Sequence, residues 1–119
     1  MEFGHIGIVV KDLERSADFY TSFLECRQQG APTDAGNVKL LYLDGGGTTL
    51  ELLQYSSSKG KEGGGVIDHI AFRVGDIDQW VRKLKEKSLA MDGPHAVPGG
   101  HILFFCGPDG ERIELVEGN

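Results

Sequence analysis

The chain has few cysteines, few basic residues and no long apolar run, and each shortage excludes a class of protein. Two cysteines in 119 residues make neither a disulfide framework nor a CxxC metal clip. One of them, Cys106 in ILFFCG, is predicted to be a small buried apolar side chain. A net charge of −6 disfavours nucleic-acid binding, which needs a basic surface. No apolar stretch reaches membrane-spanning length, and the start MEFGHIGIVVKD lacks the basic region of a signal peptide. We therefore expect a cytoplasmic protein that binds neither membranes nor nucleic acid.

What the chain does contain is an internal repeat. HIGIVVKDLE, from His5, aligns without gaps with HIAFRVGDID, from His69, and LELL at 50–53 aligns with IELV at 113–116 at nearly the same offset. Two matches in the same order at one spacing indicate a tandem duplication. We therefore expect one domain over residues 1–119, made of a first module at 1–55, a flexible linker at 56–65 and a second module at 66–119.

Hydrophobic periodicity predicts the same element order in both modules. Alternating residues at 4–11 predict a strand, and Asp12 precedes a helix whose apolar positions run from Leu13 to Leu24. A short irregular strand is expected next, followed by strands at 37–43 and 48–55 around the turn DGGG. The second module repeats the pattern, with strand 67–74, a helix after Asp76, and strands near 91–97, 101–106 and 111–117. The predicted fold is α+β, a tandem pair of βαβββ modules forming a curved, cleft-lining mixed sheet.

Each module places a histidine in its first strand and a glutamate in its last. A single mid-strand Glu is usually an ordinary residue on a solvated sheet face, but here the pattern occurs twice. Strand side chains alternate between faces, so the glutamates lie opposite their leucine and isoleucine neighbours and share a face with the histidines. Two imidazoles and two carboxylates suit a divalent metal with open positions for substrate. The predicted metal ligands are His5, Glu51, His69 and Glu114.

These segments, together with HIGIVVKDLERSADFY, DHIAFRVGDI and GPDGERIELVE, resemble the vicinal oxygen chelate superfamily. That group includes glyoxalase I, methylmalonyl-CoA epimerase, extradiol dioxygenases, fosfomycin-modifying enzymes and metal-free antibiotic-binding proteins such as the bleomycin resistance proteins. The resemblance covers essentially the whole chain. It implies a small-molecule substrate and the paired-module fold described above.

The ligand pattern narrows what the resemblance implies. Dioxygenase and fosfomycin members lack a ligand at the position of Glu51, and the epimerase typically has Gln there, whereas the full array is similar to glyoxalase I. The resemblance therefore implies a metal-dependent lyase of the lactoylglutathione lyase class. Such an enzyme moves a proton next to a carbonyl in a small α-oxo hemithioacetal, through a metal-stabilised enediolate. Glu114 matches the catalytic base, with Glu51 as the second candidate, and nickel or cobalt is favoured over zinc or manganese.

Departures from that pattern leave the substrate open. Val9 and Tyr55 stand where glutathione-dependent glyoxalases carry Arg and Asn, so glutathione loses its expected partners. Arg73 is the one obvious cation on the site-facing side, and these three residues are the candidate substrate-binding set. Tyr42 and Phe104 are expected in the core. The alternatives are an acyl-thioester epimerase and a metal-free small-molecule binding protein. A homodimer is expected, and the site can lie within one chain or across the dimer.

Overall fold

The computed structural model describes residues 5–56, 67 and 69–118. The chain divides into two compact units, Met1–Lys61 and Glu62–Asn119. The predicted linker at 56–65 lies outside the described residues apart from Ser56, and so does the predicted start of the second module at residue 66. Within the described part of the chain, no helix has the length and apolar character needed to cross a membrane.

The first module is a four-stranded mixed sheet with one helical segment. Its elements are β1 (His5–Val9), α1 (Leu13–Asp18), a π-helical segment (Phe19–Phe23), β2 (Arg27–Asp34), β3 (Val38–Asp44) and β4 (Thr49–Tyr55). The strands lie in the order β1-β4-β3-β2. β1 runs parallel to β4, whereas β4 with β3 and β3 with β2 are antiparallel. The parallel contact follows from the helical crossover between β1 and the rest of the module.

The second module repeats this topology. Its elements are β5 (Ile70–Val74), α2 (Ile77–Glu86), β6 (Asp92–Val97), β7 (Gly100–Cys106) and β8 (Arg112–Glu117). Their order is β5-β8-β7-β6, with β5 parallel to β8 and the other contacts antiparallel. The α+β class and the repeated βαβββ unit predicted from the sequence are therefore confirmed.

Strand alternation separates an apolar face from a polar one in each sheet. Leu43 and Leu52 in the first module, and Leu103, Ile113 and Leu115 in the second, are 0% exposed. The helix of each module packs against its last strand. Because Glu51 and Glu114 lie between buried residues of β4 and β8, their side chains point to the other face of the sheet. The core thereby fixes the direction in which both carboxylates face.

The start of each helix is held by its own cap. Asp12 Oδ1 accepts a hydrogen bond from the Arg15 N–H at 3.1 Å, and Asp76 Oδ1 accepts one from the Asp78 N–H at 3.0 Å. Both residues stand where the sequence predicts the start of a helix. The first helix departs from the predicted α-helical run, because its last turn widens and the Leu24 N–H donates to the Phe19 carbonyl at 3.3 Å.

The last strand of each module also contacts the start of its helix through one side chain. Gln54 Oε1 accepts a hydrogen bond from the Leu13 N–H at 2.7 Å, and Glu117 Oε2 accepts one from the Ile77 N–H at 2.9 Å. The other oxygen of Glu117 lies 2.8 Å from His101 Nδ1. The Ile77 hydrogen bond, and after it the contact with His101, lowers the pKa of Glu117. The duplication therefore preserves the contact with a neutral amide in one module and a carboxylate in the other.

Two predictions about local structure are wrong. Cys106 is exposed, because Leu103 and Phe105 take the buried face of β7 and Cys106 ends the strand on the opposite side. Cys26 is the buried cysteine, and burial, with a smaller effect of the Asp44 charge, raises its pKa to about 11. The strand expected before β3 is longer than predicted, since β2 has eight residues and is exposed along its length, whereas its predicted irregularity is present as a shift of register between Gln29 and Thr33.

Candidate metal and substrate site

In the first module the predicted ligand pair lies on two adjacent strands. β1 and β4 pair with Gly7 beside Glu51, and His5 begins β1. The His5 Nε2 atom is 3.4 Å from Glu51 Oε1, with the imidazole 49% and the carboxylate 13% exposed. A Cβ added at Gly7 would lie 3.2 Å from Leu53 Cδ1 and 3.6 Å from Glu51 Oε1. Glycine therefore keeps open the space beside the carboxylate.

The second module builds the same pair from equivalent positions. His69 precedes β5, and Ala71 lies opposite Glu114 of β8. The His69 Nε2 atom is 3.0 Å from Glu114 Oε1, with the imidazole 34% and the carboxylate 15% exposed. Sequence reasoning named all four residues, and the structure brings them together as two His–Glu pairs, one in each module.

The separation of the two donor atoms tests whether each pair suits a metal ion. Two ligands held at about 2.1 Å from one metal are about 3.0 Å apart at an octahedral edge and about 3.4 Å apart at a tetrahedral one. The observed separations of 3.0 and 3.4 Å fit both shared coordination and a direct carboxylate–imidazole ion pair. Within residues 5–56 and 69–118, no group of three or more potential ligands is gathered. Each module on its own therefore offers two ligands.

An aromatic side chain lies opposite each carboxylate on the next strand. Tyr42 of β3 pairs with Glu51, and Phe104 of β7 pairs with Glu114. The Tyr42 ring meets the His5 ring edge-on with centroids 6.0 Å apart, and Phe104 meets its histidine in the same manner at 5.6 Å. Both aromatics are partly exposed, so their expected place in the core is wrong. The strand alternation that buries Leu41 and Leu43 around Tyr42 was the signal that could have revealed this.

The hydroxyl of Tyr42 makes the two modules chemically different. A hydrogen bond to Glu51, and after it the negative charge of that carboxylate, raises the pKa of Tyr42. Phe104 has no polar atom with which to make the equivalent contact. The sequence contained this difference, since it reads Tyr at one site and Phe at the other, but only the strand register shows that both side chains face a carboxylate.

The candidate substrate-binding residues occupy different positions around these pairs. Val9 lies beside Leu53 on the His5 side of β1 and is partly buried, whereas Tyr55 ends β4 and is 40% exposed. Arg73 is exposed on the His69 side of β5, beside Val116.

Sequence reasoning missed a second cation in this region. Arg112 lies two positions before Glu114 on β8 and therefore on the same face. Its guanidinium carbon lies 4.0 Å from the centroid of the Phe104 ring, a cation–π contact. The expectation that Arg73 was the one obvious site-facing cation is therefore wrong. Alternation within ERIELVE was the signal that could have identified Arg112.

The remaining histidines lie elsewhere. His95 Nε2 is 2.7 Å from Asp92 Oδ1, and both side chains are more than half exposed. His101 lies two positions before Leu103 on β7 and therefore on the same face of the sheet, where it contacts Glu117. This is the face opposite Glu114. Neither histidine joins the two His–Glu pairs.

Comparison with known proteins identifies the family. The sequence model of the Glyoxalase/Bleomycin resistance protein/Dioxygenase superfamily matches residues 2–115. The chain belongs to this superfamily. This confirms the resemblance found from the sequence and leaves the particular activity open, since the superfamily includes both enzymes and binding proteins.

Three relatives illustrate that range. The chain is 31% identical over 118 residues to metallothiol transferase FosB of Staphylococcus epidermidis, covering 96% of this chain and 80% of the relative. It is similar to the crystal structure of the trypanothione-dependent glyoxalase I of Leishmania major, with a TM-score of 0.84 and 28% identity over 98% of this chain and 86% of that one. It is also similar to TnmS3, an antibiotic-binding protein of Streptomyces sp. CB03234, with a TM-score of 0.78 and 25% identity over 100% and 98% of the two chains.

Proposed function

We propose that the protein is a metal-dependent, glyoxalase I-like lyase that moves a proton next to a carbonyl in a small α-oxo hemithioacetal. The observation that carries the proposal is the duplicated His–Glu pair. Both modules place imidazole nitrogen and carboxylate oxygen 3.0–3.4 Å apart on the face opposite the core. A structural role for one such pair would not require its repetition at the equivalent place.

His5, Glu51, His69 and Glu114 would hold the metal ion. For the four residues to form one centre, the two His–Glu pairs would have to meet within a chain or across a two-fold dimer, and we propose a homodimer. When bound, a divalent ion would act as a Lewis acid that stabilises negative charge on the substrate oxygens. Mixed imidazole and carboxylate ligands suit nickel or cobalt, with zinc and manganese as alternatives.

Glu114 is the proposed catalytic base. Its carboxylate lies 3.0 Å from His69 Nε2 and is 15% exposed. Strand β8 fixes its backbone on a rigid sheet, so rotation of the side chain alone changes what the carboxylate contacts. Glu51 occupies the equivalent position and is the second candidate for the base.

The proposed substrate is a thiol adduct, and its thiol partner differs from glutathione. Val9 and Tyr55 would supply an apolar and a phenolic surface on the strands that carry His5 and Glu51, without a positive charge. The cations Arg73 and Arg112 both belong to the second module, Arg73 on β5, which follows His69, and Arg112 on β8, which carries Glu114. An anionic group of the substrate would therefore lie towards that module. We also propose a cytoplasmic location.

A metal-free binding protein is the second candidate. It is favoured by the similarity to an antibiotic-binding protein. Such a protein would use the same sheet faces to hold a small apolar molecule and would need no metal.

Metal content and turnover separate these functions. The protein is purified without an affinity tag that binds metal, dialysed against buffer and analysed by mass spectrometry of the elements. It is then loaded with nickel, cobalt, zinc or manganese and assayed with methylglyoxal and a panel of thiols, and separately with methylmalonyl-CoA. Metal at one ion per site, with turnover of a methylglyoxal–thiol adduct, supports the lyase. Epimerisation of methylmalonyl-CoA alone points to the epimerase. Absence of metal from all preparations contradicts both the lyase and the epimerase.

The proposed dimer is tested by the mass of the protein in solution. Sedimentation velocity at assay concentrations is expected to give a single species of twice the mass of the 12.9 kDa chain. A single species at the monomer mass would contradict the dimer and require the four ligands to meet within one chain.

A further inference from the structure

We propose that Tyr42 is a positioning residue that makes the two carboxylates of the duplicated site unequal. Its phenolic hydroxyl donates a hydrogen bond to Glu51 and holds that side chain as a fixed ligand. Glu114, which faces a phenylalanine, is then the carboxylate that can move and accept a proton. The inference rests on the proposed metal-dependent function and assigns different roles to residues that the repeat makes equivalent.

The first observation is the position of Tyr42. It lies directly opposite Glu51 in the antiparallel contact between β3 and β4, where paired side chains extend from the same face a few ångströms apart. Its ring also meets His5 edge-on. Tyr42 therefore lies against both members of the first His–Glu pair.

The second observation is the matched position in the other module. Phe104 lies opposite Glu114 in the contact between β7 and β8 and meets His69 edge-on. The backbone register and the histidine contact are the same as in the first module, so the hydroxyl is the main chemical difference at this position. The face of the Phe104 ring is occupied by the guanidinium of Arg112.

A hydrogen bond from outside the ligand set has a known effect at metal centres. It restricts the orientation of the ligating group, and removing it typically lowers metal affinity by about ten- to a hundredfold. It also opposes movement of the carboxylate away from its ligating position, because the hydrogen bond must break first. Glu51 carries this restraint and Glu114 does not receive it from Phe104. The hydrogen bond from Tyr42 therefore makes Glu51 the fixed ligand and leaves Glu114 as the base.

Two reciprocal variants test the inference. Tyr42→Phe removes the hydroxyl, and Phe104→Tyr introduces one opposite Glu114. Nickel affinity is measured by isothermal titration with NiCl₂ on protein stripped with chelator, and turnover is measured on the nickel-loaded protein. Tyr42→Phe is expected to lower nickel affinity by about tenfold or more. Phe104→Tyr is expected to keep or raise nickel affinity while lowering kcat by about tenfold or more, because the new hydroxyl restrains the base.

The double variant Tyr42→Phe/Phe104→Tyr distinguishes the loss of a positioning contact from general damage to the structure. Moving the hydroxyl to the other module should reverse the sensitivity of the two glutamates, so that Glu51→Gln lowers kcat more than Glu114→Gln does. Nickel affinity unchanged in Tyr42→Phe, or an unreversed order of the two glutamate variants, would overturn the role of Tyr42 and leave the lyase intact. Failure of the wild-type protein to bind nickel or any other divalent ion would instead overturn the proposed function itself.

Discussion

Replacing Glu114 by glutamine separates its two proposed roles, as a ligand and as a base. The amide has nearly the shape of the carboxylate and keeps one oxygen that can contact a metal ion. It has no capacity to accept a proton at neutral pH. The change therefore retains the size of the side chain between Ile113 and Leu115, which are both 0% exposed, and removes only its charge and basicity.

The expected effects on stability and on turnover differ in size. The Glu114 carboxylate contacts His69 at 3.0 Å, but the imidazole is 34% exposed. A partly exposed pair of this kind contributes about 1 kcal/mol or less to stability, which corresponds to a fall in Tm of about 5 °C or less. Loss of a positioned base lowers kcat by about 10²- to 10⁴-fold, equivalent to about 3 to 5 kcal/mol of transition-state stabilisation.

The assay measures both quantities on the same preparation. Thermal unfolding by circular dichroism reports the fold, titration with NiCl₂ reports metal binding, and consumption of the methylglyoxal–thiol adduct reports turnover. Glu51→Gln is the matched control, since it makes the same chemical change at the equivalent position of the first module. It is expected to weaken metal binding and to lower kcat less than Glu114→Gln does. A Glu114→Gln protein that binds nickel and turns over at a rate near that of the wild type would refute the assignment of the base.

Three further predictions follow from the same contacts. His5→Ala and His69→Ala should each abolish tight nickel binding. The Tm should change little, because both imidazoles are partly exposed. Wild-type metal stoichiometry in either variant would contradict the proposed metal site. Gly7→Val should weaken nickel binding without unfolding the protein, since even a Cβ would lie 3.2 Å from Leu53 Cδ1 and 3.6 Å from Glu51 Oε1. Titration with NiCl₂ measures the affinity, and an unaltered value would show that the space beside Glu51 is not needed for metal binding. The lowered pKa of Glu117 means that its contribution to stability is present above the pKa of an unfolded Glu, about 4.3, and is lost as the pH falls through the lower folded value. Urea unfolding between pH 2 and 7 should show this acid loss in the wild type and a smaller one in Glu117→Gln; equal slopes in the two proteins would exclude the linkage.

The sequence by itself determined the repeat, the element order and the four candidate ligands. Alternation along LELL and IELV is a local property: when leucine and isoleucine are buried, the glutamate between them must face the other way. Duplication then strengthens the interpretation of these glutamates as ligands, because an incidental surface residue is not expected to recur at the equivalent place of both modules. The caps at Asp12 and Asp76 were readable for the same reason, since a cap depends only on the residues next to it.

The tertiary structure decided everything that depends on contacts between strands. The register of β3 against β4 and of β7 against β8 brings Tyr42 and Phe104 opposite the two glutamates, and a shift of one residue would turn them towards the core. The same pairing shows that Cys106 is exposed and that Arg112 lies on the face of Glu114. Register depends on how side chains pack across neighbouring strands and on the geometry of the turns between them. The sequence held every residue of the two His–Glu pairs and of the side chains opposite them, and only the folded sheet determines which of them face one another.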